Sequence, residues 1–100
     1  MRSIIALVGL VTLSAGADDL CDQVSEAAIN VMEARQGGVS RTAMKRIADQ
    51  QESPEREVMI ELIVAAYESE VLLSAEARQR KISEFGDASY EKCLESQKPD

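Results

Sequence analysis

The most constraining feature of this sequence is its pair of cysteines, Cys21 and Cys93, which lie near opposite ends of a short chain. A bond between them would close a ring of 73 residues, so the two ends of the fold would have to meet. Chain-entropy estimates for a ring of that size give about 4.4 kcal/mol of stabilisation. The alternative is two free thiols. The sequence therefore predicts a fold closed by a Cys21–Cys93 disulfide.

The first 17 residues have the composition of a secretory signal peptide. Arg2 supplies a short positive region, residues 4–13 are mostly apolar, and Ala15-Gly16-Ala17 fits a cleavage site. The apolar run is too short to span a bilayer; retention as an N-terminal anchor is the alternative interpretation. We expect cleavage after Ala17, a periplasmic or secreted location, and no stable membrane anchor afterwards. Disulfides form and persist in such oxidising compartments.

The mature chain that this cleavage would produce, residues 18–100, is long enough for only one domain. Loss of Arg2 leaves ten basic residues against eighteen acidic ones, a net charge of −8. A chain of this size buries only about 60% of its unfolded surface. Its fold is therefore only marginally stable by itself, and a disulfide would add to its stability. The tail 96–100 is polar and contains Pro99, and we expect it to be disordered.

Hydrophobic periodicity predicts helices and no strand in the mature chain. Helix one covers residues 18–36: Asp18 or Asp19 caps it, and Gly37-Gly38 ends it, because glycine adopts the left-handed C-cap conformation without strain. Ser40 caps helix two, which extends to about Gln51. The apolar positions of these two helices are Leu20, Val24, Ala27, Ala28, Val31, Ala43, Met44, Ile47 and Ala48.

The segment Ser53-Pro54-Glu55 predicts the start of helix three, since serine is a good cap and proline fits the first helical position. Its apolar face lies within residues 58–67. Ser74 then restarts a fourth helix, in which Gly86 could mark a kink. One continuous helix over 54–95 is the alternative; we favour two helices, because a continuous one would carry the core stripe through Ser69 and Glu70.

Short connections make consecutive helices antiparallel neighbours. In an up-down-up-down bundle the start of helix one lies near the end of helix four, and these are the positions of Cys21 and Cys93. The sequence thus predicts an all-α fold, a small antiparallel bundle of about four helices closed by one disulfide.

Several short motifs resemble those of a group of small exported helical proteins of proteobacteria and their phages. The motifs are Cys21, Ala34-Arg35-Gln36, Gly38-Val39-Ser40, Ala65-Ala66-Tyr67-Glu68, Arg78-Gln79, Ile82, Phe85, Tyr90 and Cys93. The resemblance implies a helical fold with one disulfide and no known function. The chain departs from the group's pattern at Val71-Leu72-Leu73, where a more polar loop with an aromatic residue is expected.

The composition argues against catalysis. The chain has no histidine, which removes Ser-His and Cys-His nucleophiles, histidine metal ligands and the usual neutral-pH general base. Both cysteines are predicted to be oxidised, and the sequence has neither a Gly-rich phosphate loop nor an acidic calcium loop. We therefore expect no enzyme activity, no cofactor and no metal. The negative charge and the three aromatic residues argue against nucleic-acid binding.

Two features could contact a partner. Glu57, Glu61 and Glu68 share a helical face within a segment, 52–70, of net charge −5, which would attract a basic protein; a solvated face is the alternative. Val71-Leu72-Leu73 either covers the end of the bundle from inside or forms an exposed contact patch.

These features favour a non-catalytic protein-binding module, such as an inhibitor or immunity-type protein. The alternative is a periplasmic stress-protective or chaperone-like helical protein, which would expose apolar surface at Val71–Leu73. The sequence specifies neither the partner nor the oligomeric state.

Overall fold

The structure, a computed structural model, describes residues 16–98, and this range contains four α-helices and no strand. The helices are α1 Gly16–Gln36, α2 Arg41–Asp49, α3 Glu55–Ala66 and α4 Ala75–Gln97. The predicted all-α fold with four helices and one disulfide is therefore confirmed. Most of the predicted signal peptide, residues 1–15, and the last two residues of the predicted tail lie outside the described residues.

α1 differs from the prediction at its start and agrees with it at its end. The helix begins at Gly16, so Asp18 and Asp19 occupy positions inside the helix and not the cap position before it. At the other end Gly38 has a φ of +89°, and the Val39 N–H donates to the Ala34 carbonyl over 2.9 Å. This is the glycine-based termination that the sequence predicts.

The serine caps are as predicted for α2 and α4 but not for α3. The side chains of Ser40 and Ser74 accept hydrogen bonds from the N–H groups of Ala43 and Ala77, at 3.1 and 3.0 Å. At the start of α3 no side chain caps the helix. The Ser53 hydroxyl instead donates to the Glu57 carboxylate over 2.9 Å. It therefore binds a side chain of the first turn and not a backbone N–H group.

The break between the third and fourth helices is confirmed. α3 ends at Ala66, and the irregular segment 67–74 separates it from α4. Side chains from α1 bind the backbone of this segment, as described below, and those bonds replace the ones that a continuous helix would make. α4 continues through Ser96 and Gln97, two residues into the tail expected to be disordered, and the Ser96 hydroxyl donates to the Cys93 carbonyl over 2.8 Å.

The core lies between α1, α2 and α3, with one large side chain from α4. Its buried members are Ala28, Val31, Met32, Met44, Ala48, Leu62, Ile63, Ala66 and Ile82. Met32 and Met44 both pack in this core. Leu20 and Ile47, two predicted apolar-face positions, are each 44% exposed, because no other helix covers that part of their surface.

α1 is the centre of the bundle. α4 packs along it in antiparallel fashion, and α3 and α2 pack against its other sides. α2 and α3 are close neighbours, as their short connection predicts, but α3 and α4 are not a closely packed pair. The expectation that every consecutive pair of helices would be adjacent is therefore wrong for α3 and α4, because each of them buries its apolar face against α1.

The disulfide joins the start of α1 to the end of α4. Cys21 and Cys93 are bonded, with their Cα atoms 5.5 Å apart, and Cys21 is completely buried. The prediction that the topology brings the two cysteines together is confirmed.

Candidate functional site: a groove between α3 and α4

An open groove runs between α3 and α4, and the first turns of α1 form its floor. Its volume is about 390 Å³. The residues that line this α3–α4 groove are mainly apolar and include Leu20, Val24, Val58, Leu62, Phe85 and Ala88. The fold therefore leaves a continuous apolar surface accessible, in a concave place where a partner could bury it.

The groove exists because α4 is held against α1 and away from α3. A Cβ atom built at Gly86 would lie 2.6 Å from Ile29 Cγ1, so only glycine permits this approach of the two helices without a shift. The Ser25 hydroxyl donates to the Gly86 carbonyl over 3.1 Å. The disulfide lies about two turns beyond Gly86 on α4. α4 is therefore held against α1 at two points, Gly86 and Cys93, and the gap to α3 stays open.

Glutamates border the groove on the α3 side. Glu57 and Glu61 are exposed and lie one turn apart on α3, next to Val58 and Leu62 in the helical order; Glu61 itself lines the groove. We call Glu57 and Glu61 the acidic edge. This pair was predicted as a partner contact, but its position beside an apolar groove depends on how α3 and α4 pack.

Glu68, the third predicted contact, does not share a helix with the acidic edge. α3 ends at Ala66, and Glu68 is exposed in the turn that follows. The early end of the helix removes the common face that the sequence pattern predicted for all three glutamates.

The α4 side of the groove also carries acids, which the sequence reasoning missed. Glu84, Glu91 and Glu95 are exposed and recur at helical spacing just outside Ala88. They are interrupted by Lys92, which lines the groove. The signal was present as an i, i+7, i+11 spacing, but without the position of α3 nothing distinguished this face of α4 from any other solvated face.

The predicted contact Val71-Leu72-Leu73 lies in the segment 67–74 at the other end of the bundle. Gln36, only 5% exposed, holds this segment with both ends of its amide: its Nε2 donates to the Glu70 carbonyl over 2.9 Å, and its Oε1 accepts from the Leu72 N–H over 2.8 Å. Arg35 Nε donates to the Ser69 carbonyl over 2.8 Å. These hydrogen bonds hold the backbone of the loop in one conformation.

Leu73 is the exposed tip of that segment. Arg78 Nη1 donates to the Leu72 and Leu73 carbonyls over 2.8 and 2.9 Å, while the Leu73 side chain is 98% exposed. Val71 is 44% exposed and Leu72 is half-buried. Of the two alternatives for this stretch, Leu73 and Val71 therefore lie on the surface, and only Leu72 is partly buried at the end of the bundle.

Tyr67 joins this segment to the end of α1. Its hydroxyl donates to the Val39 carbonyl over 2.6 Å, and the Arg35 guanidinium lies over its ring, 5.0 Å from the centroid. Burial raises the pKa of Tyr67 above its ordinary value, and the positive charge of Arg35 opposes that rise. The phenol is therefore a neutral donor at physiological pH and has a structural function.

Comparison with family models, with curated proteins and with solved structures finds no match for this chain. Within residues 16–98 no three acidic, histidine or cysteine side chains are arranged to hold a metal ion. None of the four described helices combines the length and apolarity that a bilayer crossing requires. The groove combines an apolar concave surface with acidic borders in one place.

Proposed function

We propose that this chain is an exported, non-catalytic protein-binding module of the inhibitor or immunity type, and that its partner is a basic protein segment that binds the α3–α4 groove. The observation that carries the proposal is an apolar groove bordered by Glu57 and Glu61. The apolar lining and the two glutamates contribute to binding in different ways.

The apolar lining supplies affinity, because covering it removes from water the exposed parts of Leu20, Val58 and Phe85. The carboxylates supply orientation and association rate, because they attract cations over a distance set by the ionic strength. A mature net charge of −8 extends this attraction to the whole molecule. A basic protein with an exposed apolar segment satisfies both requirements.

The chemistry of the groove favours binding over catalysis. Its ionisable members are Glu61 and Lys92, on opposite walls, and both are exposed. A general acid or base must lie within hydrogen-bond reach of the reacting group and usually acts together with a second polar group, whereas these two side chains lie on opposite walls of an open groove.

Site-specific photo-crosslinking tests the proposal. A photoreactive residue at Ala88, inside the groove, is compared with one at Ser83, which is exposed on the same helix outside the groove. In an envelope extract we expect one crosslinked protein from position 88, attached through a segment rich in Lys and Arg. Crosslinking should fall with added salt and in the Glu57→Gln, Glu61→Gln variant.

A matched charge control is Asp22→Asn with Glu26→Gln, which removes two exposed carboxylates one turn apart on α1. That variant should crosslink as the parent does. Equal labelling from positions 83 and 88, or a crosslinked segment without basic residues, would rule out the groove as a basic-partner site.

The exposed Leu73 favours one second function, a chaperone-like activity in which Val71–Leu73 binds unfolded clients. This function predicts that the protein suppresses aggregation of a reduced, unfolding client at substoichiometric ratios, and that Leu73→Ser removes this effect. Under the binding-module proposal, Leu73→Ser leaves crosslinking from position 88 unchanged, so the two functions are separable.

Export is the remaining part of the proposal. It is supported by the order of Arg2, the apolar run 4–13 and Ala15-Gly16-Ala17, together with a disulfide, which persists in oxidising compartments. The intact mass of the protein from its native host should correspond to a chain that begins at Asp18. A mature product that retains Met1 would contradict cleavage.

A further inference from the structure

We infer that the occupant of the α3–α4 groove is a single amphipathic α-helix of two to three turns, apolar on one face and basic along the flank that meets Glu57 and Glu61. The inference rests on the proposed function and specifies the conformation and pattern of the partner segment. Three properties of the groove carry it: its shape, its lack of strand-pairing groups and the distribution of its charges.

The shape of the groove is that of a missing helix. Two helices form its walls and a third forms its floor, so an added helix would pack against all three, as in a bundle. The groove residues of α3 span 58–65 and those of α4 span 85–97, which are about 10 and 18 Å at 1.5 Å per residue. A helix of two to three turns has the corresponding length.

The groove favours a helix over an extended strand because of backbone hydrogen bonding. Its walls and floor are helices, whose backbone groups are already paired along the helix, and no strand edge occurs in residues 16–98. A strand laid on this apolar surface would bury N–H and C=O groups without partners. A helix pairs its own backbone groups and presents only side chains.

The charges define the pattern of the occupant. The α3 border carries two glutamates, so the flank that meets it should be rich in Lys or Arg. On the α4 border Lys92 lies among Glu84, Glu91 and Glu95, so that flank should mix basic residues with an acid or amide opposite Lys92. Both borders therefore have a net charge of −2, and Lys92 is what distinguishes the α4 border, so the flank opposite Lys92 should differ from the flank that meets Glu57 and Glu61.

The test is a selection from a library of random 16-residue peptides displayed on phage, with the oxidised mature chain as bait. Ala88→Trp fills the groove from α4, and Ala65→Trp fills it from α3; both positions are exposed and line the groove. Ser83→Trp is the matched control, since it adds the same side chain to α4 outside the groove. Circular dichroism and thermal melting establish that each variant is folded.

We expect the parent and Ser83→Trp to enrich the same peptides, and both groove-filling variants to lose them. Enriched sequences should carry apolar residues at i, i+3 or i+4, and i+7, with Lys or Arg along one flank. A synthetic peptide of the enriched sequence should gain helical circular dichroism on binding. Glu57→Gln with Glu61→Gln should weaken it about three- to tenfold, as expected for two solvent-exposed ion pairs, whereas Asp22→Asn with Glu26→Gln should not.

Two results would overturn the inference, and they have different consequences for the proposed function. Enriched peptides with alternating apolar residues and no gain of helix, lost on groove filling, would overturn the helix while leaving the groove as the binding site. Failure to enrich any peptide relative to the groove-filling variants, or enrichment that those variants retain, would overturn both.

Discussion

At the scale of single residues, Gly86 determines how closely two helices approach. Glycine within a helix costs about 1 kcal/mol relative to alanine, and Gly86 is buried in the middle of α4. The structure accounts for this cost: Ile29 of α1 occupies the space that a Cβ would need. The sequence pattern suggested a kink at this glycine, whereas its function is close packing.

We predict that Gly86→Ala destabilises the protein by about 1 kcal/mol. The overpacking against Ile29 costs about 1–3 kcal/mol, and the better helix propensity of alanine returns about 1 kcal/mol. Urea unfolding measures the difference. In an Ile29→Ala background the same substitution should become neutral or stabilising, because the clashing atoms are gone; an unchanged cost in that background would show that Ile29 is not the cause.

Three serines that precede helices look equivalent in sequence but differ in structure. Ser40 and Ser74 accept hydrogen bonds from backbone N–H groups of the first turn, whereas Ser53 donates to the Glu57 side chain. Ser40→Ala and Ser74→Ala should each lower the free energy of unfolding by about 1 kcal/mol. Ser53→Ala should lower it by only a few tenths, as for an exposed side-chain contact. Equal losses at all three positions would contradict the assignment.

At the scale of elements, the segment 67–74 is an irregular loop whose backbone is hydrogen-bonded to side chains of α1 and α4. Its carbonyls and one N–H bind Arg35, Gln36 and Arg78, so α1 and α4 position it from both sides. The sequence indicated a helix break here but not its conformation, because each of these bonds joins residues that are at least five positions apart.

We predict that Gln36→Leu costs about 2–4 kcal/mol, because it leaves the Glu70 carbonyl and the Leu72 N–H without their partner. The Leu72 amide should exchange its hydrogen much faster in this variant. Gln79→Leu, an exposed change in α4, is the control with the same chemistry and should have little effect. If the Leu72 amide keeps its protection without Gln36, the loop is held by other contacts.

At the scale of the whole molecule, the disulfide closes the bundle at the end where the groove lies. Cys93 lines the α3–α4 groove, and Leu20, beside Cys21, lies in its floor. The covalent bond therefore stabilises the fold and fixes two surfaces of the candidate site relative to each other.

We predict that replacing both cysteines by serine lowers the melting temperature by more than ten degrees, since a ring of this size contributes about 4 kcal/mol and about 4–8 °C accompany each kcal/mol in a small domain. Binding of a groove ligand should weaken in parallel, at temperatures where the variant is still folded. Differential scanning calorimetry and titration calorimetry measure the two effects. Equal melting of the oxidised and reduced proteins would mean that the bond is absent or without effect.

Local interactions account for what the sequence by itself determined about this protein. A sequence pattern directly records features that depend on residues within one turn of each other. These features are the helical class, the termination of α1 at Gly37-Gly38, and the caps at Ser40 and Ser74. The disulfide was predictable for another reason: only two cysteines exist, and an antiparallel four-helix topology brings both to one end.

Only the tertiary structure decided that α3 and α4 both pack on α1 and not on each other. Whether α3 packs on α4 or on α1 depends on side-chain shape and on the close approach at Gly86 and Ile29, which lie 57 positions apart. The groove follows from that choice, and so does the position of Glu57 and Glu61 beside it. Residues distant in sequence become a site only when packing selects which apolar faces are buried and which one remains open.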